Sequence, residues 1–215
     1  MKKLIVAATK KEVLPLLEKS VKKDTSRYTF SDNIDILISG IGIPHTVFSL
    51  TRILLTEKYE KLINVGIAGS YLTTLAPGTP VEITKDIFGD FGIDDNGKFI
   101  PADNTVLTSF SESPSFGNSW LNNPNTFDHS LPKVKGITVQ KVSGSIPVIT
   151  ERSRLFNPDV ETMESAAFFF VALKFNIPFF SVRTISNMVA PRDTTTWKIS
   201  LAVTNLNRYI KEKII

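Results

Sequence analysis

The chain has 215 residues, with no cysteine and only two histidines. The first absence excludes disulfides, thiolate metal centres and a cysteine nucleophile. The second leaves no imidazole cluster, because His45 and His129 are far apart and lack metal-ligand spacing. Neither histidine is accompanied by a nucleophile-elbow motif, so a Ser-His-Asp triad has no support. The dinucleotide fingerprint G-x-G-x-x-G is missing as well. Long apolar runs are absent too. The longest, Ala166 to Leu173, falls far short of the roughly 20 residues of a membrane-spanning helix. At the N-terminus, "MKKLIVAATKKEV" sets two lysines before a short apolar stretch. That stretch is about six residues, below the roughly 7–15 of a signal-peptide core. It reads as a first strand, and a cytoplasmic location is expected.

What is present is ordinary for a soluble globular chain: 42% hydrophobic and 21% charged residues, enough for one sizeable domain over residues 1–215. The net charge of +4 comes mainly from scattered lysines with acidic residues between them. That pattern describes a solvated surface rather than a nucleic-acid interface, and it is compatible with an anionic small substrate.

Strand-like and helix-like segments alternate. "KKLIVAAT" is followed by "KKEVLPLLEKSV" at helical spacing, and "IDILISGIGIP" by the amphipathic "HTVFSLTRILLTEKY". "EKLINVGIAGS", "TPVEITKDIFG" and "KGITVQKVSGS" read as further strands. "ETMESAAFFFVALKFN" reads as a helix stopped by Asn176 and Pro178, leading into the buried strand "IPFFSVRTIS"; "WKISLAVTNLNRYIKEKI" reads as a final helix. The expectation is an α/β fold, a three-layer αβα sandwich around a mixed, largely parallel sheet. A loop rich in Ser, Asn and Pro spans about 101–132 and reads as an active-site lid or a plain insertion.

In open α/β sheets ligands gather at the carboxyl ends of strands. Those ends here are Ala8-Thr9 with Glu12, Gly40-Ile41-Gly42, Gly66 to Ser70, and Ser186-Asn187. Glycines there permit close backbone approach. Glu12 fits a capping box with Thr9 as readily as it fits chemistry. Glu164, placed in the first turn of its helix, complements the helix dipole. Arg183, in the middle of a buried strand, calls for a carboxylate partner.

These pieces, in this order, resemble the purine nucleoside phosphorylase and nucleosidase superfamily. The likeness runs through "AATKKEV", "ISGIG", "NVGIAGS" and "PGTPVEI", and is strongest in "VETMESAAFFFVALKFNIPFFSVRTISNMVAPRD". Within the superfamily, "DIFGDFGIDDNGKF" and "TMESAAFFF…ISNMVAPRD…W…NLN" are most similar to the futalosine hydrolases. The resemblance covers nearly the whole chain outside the 101–132 loop.

That resemblance implies an enzyme cleaving an N-glycosidic bond, with no metal or organic cofactor, acting on a small nucleoside as a dimer or larger homo-oligomer. Glu12 matches the glutamate that activates water, and Glu164 the one that accepts hydrogen bonds from the ribose hydroxyls, with Met163 against the sugar. Thr162, Ala68, Gly69, Ser186 and Arg183 complete the implied substrate site. Asn187 stands where relatives that cleave 6-aminopurine nucleosides carry aspartate. Its amide donates to a 6-oxo group and accepts from a protonated N7, so it points to hypoxanthine.

Phosphorylases in the superfamily hold phosphate with arginines, which the Asn64-Val65-Gly66 stretch and the first turn lack, so water is the expected nucleophile. Ile67 stands where many relatives have serine. Phe88, Phe91, Arg192 and Lys85 are the candidates for a 5′ substituent. A methylthioadenosine/adenosylhomocysteine nucleosidase, a purine nucleoside phosphorylase and a non-catalytic nucleoside-binding module are the rival readings.

Overall fold

A computed structural model describes residues 2–102, 120–125 and 130–215. Along the chain these form β1 (Lys3–Ala7), a 3-10 turn (Lys10–Val13), α1 (Leu14–Leu17), β2 (Val21–Lys22), β3 (Arg27–Ser31), β4 (Ile34–Ile38) and α2 (Ile43–Thr56). Then come β5 (Lys61–Ser70), β6 (Pro80–Asp86), β7 (Gly92–Asp95), β8 (Lys98–Pro101), β9 (Leu121–Asn122) and β10 (Lys133–Thr138). The remainder is α3 (Ile146–Phe156), β11 (Val160–Thr162), α4 (Ser165–Lys174), β12 (Phe179–Met188) and α5 (Ile199–Lys213).

The main sheet runs β11-β10-β6-β12-β5-β1-β4-β3-β2. Its centre is parallel, with β1, β4, β5 and β12 aligned, whereas β6 meets β12 antiparallel. β11 also pairs antiparallel with the end of β5, so that half of the sheet curls back on itself. The curl brings the ends of β5, β11 and β12 to one place.

Period-two alternation builds a core on each face. Leu4 and Val6 of β1 point to a core shared with Leu50, Phe168, Phe169 and Phe179, under α2 and α4. Ile5 and Ala7 point the opposite way, to Val65, Val182, Leu206 and Ile210 beneath α5. The three-layer α/β architecture is therefore as the sequence implies.

Several elements differ from expectation. The segment read as one helix from Glu161 begins as β11, and α4 starts only at Ser165. Glu164 is thus the residue before the helix, not part of its first turn. The β10 strand ends at Thr138, and residues 139–145 leave the sheet as a loop. Short strands β2 and β3 and helix α3 escaped the periodicity reading because they are brief or weakly amphipathic. Within 101–132, β9 pairs with β6, while the rest of the loop read as a lid or an insertion, with His129, lies largely outside the described residues. No helix among the described residues is long and apolar enough to cross a membrane.

Candidate active site

At the carboxyl end of the sheet lies a cavity of about 380 Å³. Glu12, Ala68, Gly69, Thr162, Met163, Glu164, Ser186 and Asn187 all line it. Residues from four separate stretches of sequence are therefore brought together as the motifs require. Arg183 is the exception. It is 1% exposed and lies beneath the cavity rather than in its wall.

The two carboxylate oxygens of Glu12 have different surroundings. Its Oε2 accepts hydrogen bonds from Thr9 N (2.8 Å) and Thr9 Oγ1 (3.0 Å), which fixes the carboxylate at the head of the 3-10 turn. Its Oε1 lies 3.3 Å from the Ile67 amide and is otherwise available. The capping contacts thus fall on one oxygen of the side chain only. From α5, Asn207 Nδ2 donates to the Glu12 carbonyl at 2.8 Å and so anchors the turn from below. Gly66 leaves room for this carboxylate: a Cβ would sit 2.8 Å from Glu12 Oε1 and displace it, and 3.5 Å from the Arg183 guanidinium carbon.

Glu164 is held by the Gly42 amide, which donates to Oε1 at 2.9 Å. Gly42 has φ +87°, a left-handed conformation that favours glycine, and a Cβ there would meet Gln140 Oε1 at 3.0 Å. Burial pushes the Glu164 carboxyl above its ordinary value, against the pull of the Gly42 amide and the Arg183 charge.

Arg183 departs from the carboxylate pairing expected of it. Its Nη2 donates to the Asn64 side-chain oxygen and its Nη1 to the Val182 carbonyl at 3.1 Å, while Nε has no partner among the described residues. Burial lowers its pKa, and the fields of Glu164, Glu12 and Asp86 oppose that. One cation thus stands under three carboxyl groups without touching any at ion-pair distance among the described residues.

Ser186 Oγ donates within a bifurcated contact to the Ala68 carbonyl (3.1 Å) and Asn187 Oδ1 (2.7 Å), and Asn187 Nδ2 donates to the Met188 carbonyl at 2.9 Å. The β12–β5 register slips at Ser186, a bulge that sets Asn187 opposite Gly69. A Cβ on Gly69 would lie 3.3 Å from Asn187 Nδ2, so the glycine gives the amide its seat.

Sequence reasoning missed the opposite wall. Glu161, 6% exposed, also lines the cavity and gathers Ser143, Tyr71 and Arg152 around it. The only signal was an acidic residue two places before Met163 in what read as a helix. Of the 5′ candidates, Phe88 and Phe91 line a neighbouring cavity of about 350 Å³, and Lys85 lies 4.9 Å from the Trp120 ring. Arg192 lies 5.2 Å over the ring of Trp197, and Trp197 lines the main cavity. Among the described residues no cluster of His, Asp or Glu is arranged to hold a metal ion.

Carboxylates and an amide thus converge at the strand ends of a curled mixed sheet. The phosphorylase superfamily profile matches residues 2–214, and the chain belongs to that superfamily. It is 27% identical over 228 residues to the 5′-methylthioadenosine/S-adenosylhomocysteine nucleosidase of Buchnera aphidicola subsp. Baizongia pistaciae, covering 94% of this chain and 84% of that one. Its fold matches the futalosine hydrolase of Helicobacter pylori strain 26695 with a TM-score of 0.80 at 18% identity, covering 99% and 97% of the two chains. It matches the H. pylori 5′-methylthioadenosine/S-adenosylhomocysteine nucleosidase, solved with butyl-thio-DADMe-Immucillin-A, equally well: TM-score 0.80, 18% identity, 100% and 98% covered.

Proposed function

We propose that this protein hydrolyses the N-glycosidic bond of a purine nucleoside, releasing hypoxanthine, and that its substrate is futalosine, as in menaquinone biosynthesis. The observation that carries the reading is Glu12: one oxygen tied to Thr9, the other turned to a cavity shared with Glu164 and Asn187. Glu12 Oε1 is the general base that takes a proton from water attacking the anomeric carbon. Glu164, acting as an ionised acceptor, receives hydrogen bonds from the 2′- and 3′-hydroxyls, and Met163 packs against the sugar. The buried Arg183 places a positive charge beneath Glu164 that favours its ionised form, against the upward push of burial. Asn187 donates to O6 and accepts from the protonated N7 of the leaving hypoxanthine; an amide cannot itself supply a proton at neutral pH.

Water rather than phosphate is the nucleophile. Among the described lining residues the only cation is Lys11, exposed at the rim, and a phosphate dianion needs more charge than that. For the 5′ carboxyphenyl group we assign Trp197 as the stacking face and Arg192 above it as the cation. A homo-oligomer in the cytoplasm belongs to the same proposal, and sedimentation of the purified chain reads the oligomer directly.

A base-release assay tests this. The protein is incubated with futalosine, inosine and methylthioadenosine, with and without phosphate, and the bases are separated by chromatography. Phosphate-independent hypoxanthine from futalosine is the expected result. Adenine from methylthioadenosine in its place would establish the rival nucleosidase. Strict dependence on phosphate would make the protein a phosphorylase, and no release from any substrate would leave a binding module.

A further inference from the structure

Glu161 is a buried carboxylate at a strand end, a costly group to place there without compensation. Three elements supply the compensation. Its Oε2 accepts from Ser143 Oγ (2.6 Å), from the Tyr71 hydroxyl (2.9 Å) and, more weakly, from Arg152 Nη1 (3.4 Å). Among the described residues its Oε1 accepts only from the Ser143 amide, at 2.7 Å. Every donor but one is therefore spent on Oε2, and Oε1 keeps one acceptor direction in a residue that lines the cavity. Arg152, itself buried, also reaches Asp90 at 3.6 Å, and Asp90 accepts from the Gln140 and Lys141 amides. The carboxylate is locked in place and paired with a cation, with one lone pair left over.

The ladder gives its position relative to the base-reading amide. Gly69 pairs with Asn187 on one side and with Glu161 on the other. The two polar side chains thus flank one glycine from neighbouring strands, two strand spacings or roughly 10 Å apart along the sheet.

We infer that Glu161 is a specificity-determining residue that accepts a hydrogen bond from N1–H of a 6-oxopurine. The inference rests on the reading of this cavity as a hypoxanthine site with Asn187 at O6 and N7. A 6-oxopurine carries hydrogen on N1; a 6-aminopurine presents a lone pair there. The same carboxylate that rewards the first meets the second with lone pair against lone pair, so it selects by acceptance and by repulsion together. Asn187 and Glu161 then read the base from two sides.

The test is competition by free bases in the base-release assay, using hypoxanthine, 1-methylhypoxanthine and adenine against the unaltered protein and against Glu161→Gln. A lost hydrogen bond to a charged group corresponds to about 10- to 100-fold. The unaltered protein should therefore bind hypoxanthine tighter than 1-methylhypoxanthine or adenine by that factor. In Glu161→Gln the preference over adenine should fall about tenfold, leaving the share that Asn187 supplies, and the preference over 1-methylhypoxanthine should fall to within about threefold. Equal binding of hypoxanthine and its N1-methyl derivative by the unaltered protein would overturn the inference, and that comparison needs no variant to fold. So would a Glu161→Gln protein that weakens toward all three bases alike while keeping its preference, since that is the signature of a wall support. Preference for adenine in the unaltered protein would overturn the hypoxanthine reading itself, a result distinct from either.

Discussion

The two walls of the cavity are built by different means. In one wall, Ala68, Gly69 and Asn187 hang on the parallel ladder of β5 and β12, and Glu12 sits in the 3-10 turn that follows β1, tied by Thr9. The facing wall of Val142 and Ser143 sits on a loop outside the sheet, secured by the Glu161–Arg152–Asp90 side-chain network. A ladder position is set by register and tolerates surface change. A loop clamped by charges stands or falls with those charges, and such networks are strongly non-additive. On the proposed reading the chemistry falls to the first wall and recognition extends to the second.

Breaking the ladder-built wall should therefore cost rate. Glu12→Gln keeps the side-chain shape and removes the base, and kcat should fall about 10²- to 10⁴-fold with KM little changed. Thr9→Ala sharpens the point, because it loosens only the capping oxygen. It should cost about 1 kcal/mol of stability and far less rate, which steady-state kinetics and urea unfolding separate. Next in size is Asn187→Asp, which supplies a carboxyl able to protonate N7 and accept from a 6-amino group. The ratio of adenine to hypoxanthine release should rise by about tenfold or more. An unchanged ratio would remove Asn187 from base recognition.

On the loop side the expected effect is smaller. Arg192 donates its backbone amide to the Gly144 carbonyl at 3.1 Å and lies over Trp197, so it ties the loop to the segment before α5. Its side chain is exposed, and exposed charges contribute little. Arg192→Ala should lower kcat/KM for futalosine about 3- to 10-fold relative to inosine. An equal loss on both nucleosides would mean that Arg192 supports the loop and does not touch the 5′ group.

The same division explains what the sequence made legible. Glu12 and Asn187 lie next to strand ends that hydrophobic periodicity locates, so their convergence followed from the α/β pattern, whereas Met163 and Glu164, in a segment read as helix, were assigned through the resemblance to the superfamily. Glu161 was hidden because "VETMES" carries no alternation long enough to mark β11, a three-residue strand made only by pairing with β10 and the end of β5. The partner of Arg183 was misjudged for a related reason. Its neighbour across the ladder, Asn64 beside Ser181, is fixed by register, which composition does not reveal. Long-range pairing, not local propensity, decided both.

Asp86 joins the two walls and gives the effect most specific to pH. It is fully buried, with Oδ1 accepting from the Ile87 amide at 2.8 Å and from Thr138 Oγ1 at 2.9 Å. Thr138 in turn accepts from the Ala166 amide at 2.8 Å and meets Thr162 Oγ1 at 3.1 Å, at the turn that carries Met163 and Glu164. Oδ2 has no hydrogen-bond partner among the described residues, and burial pushes the Asp86 pKa up to about 7. The folded protein thus retains a proton that the unfolded chain has already lost between an ordinary carboxylate pKa of 3.8 and about 7. Folded stability supplied by Asp86 is complete below that window and falls as pH rises through it, by at most about 1.4 kcal/mol per pH unit. Burial raises Glu164 as well, with the same sign, so part of the slope belongs to it. Asp86→Asn removes only the Asp86 share. Urea unfolding across this range should show a flatter fall in stability for Asp86→Asn than for the unaltered protein, with stability most improved near neutral pH. Parallel curves would show that Asp86 is ionised throughout, held so by Arg183 beneath the site.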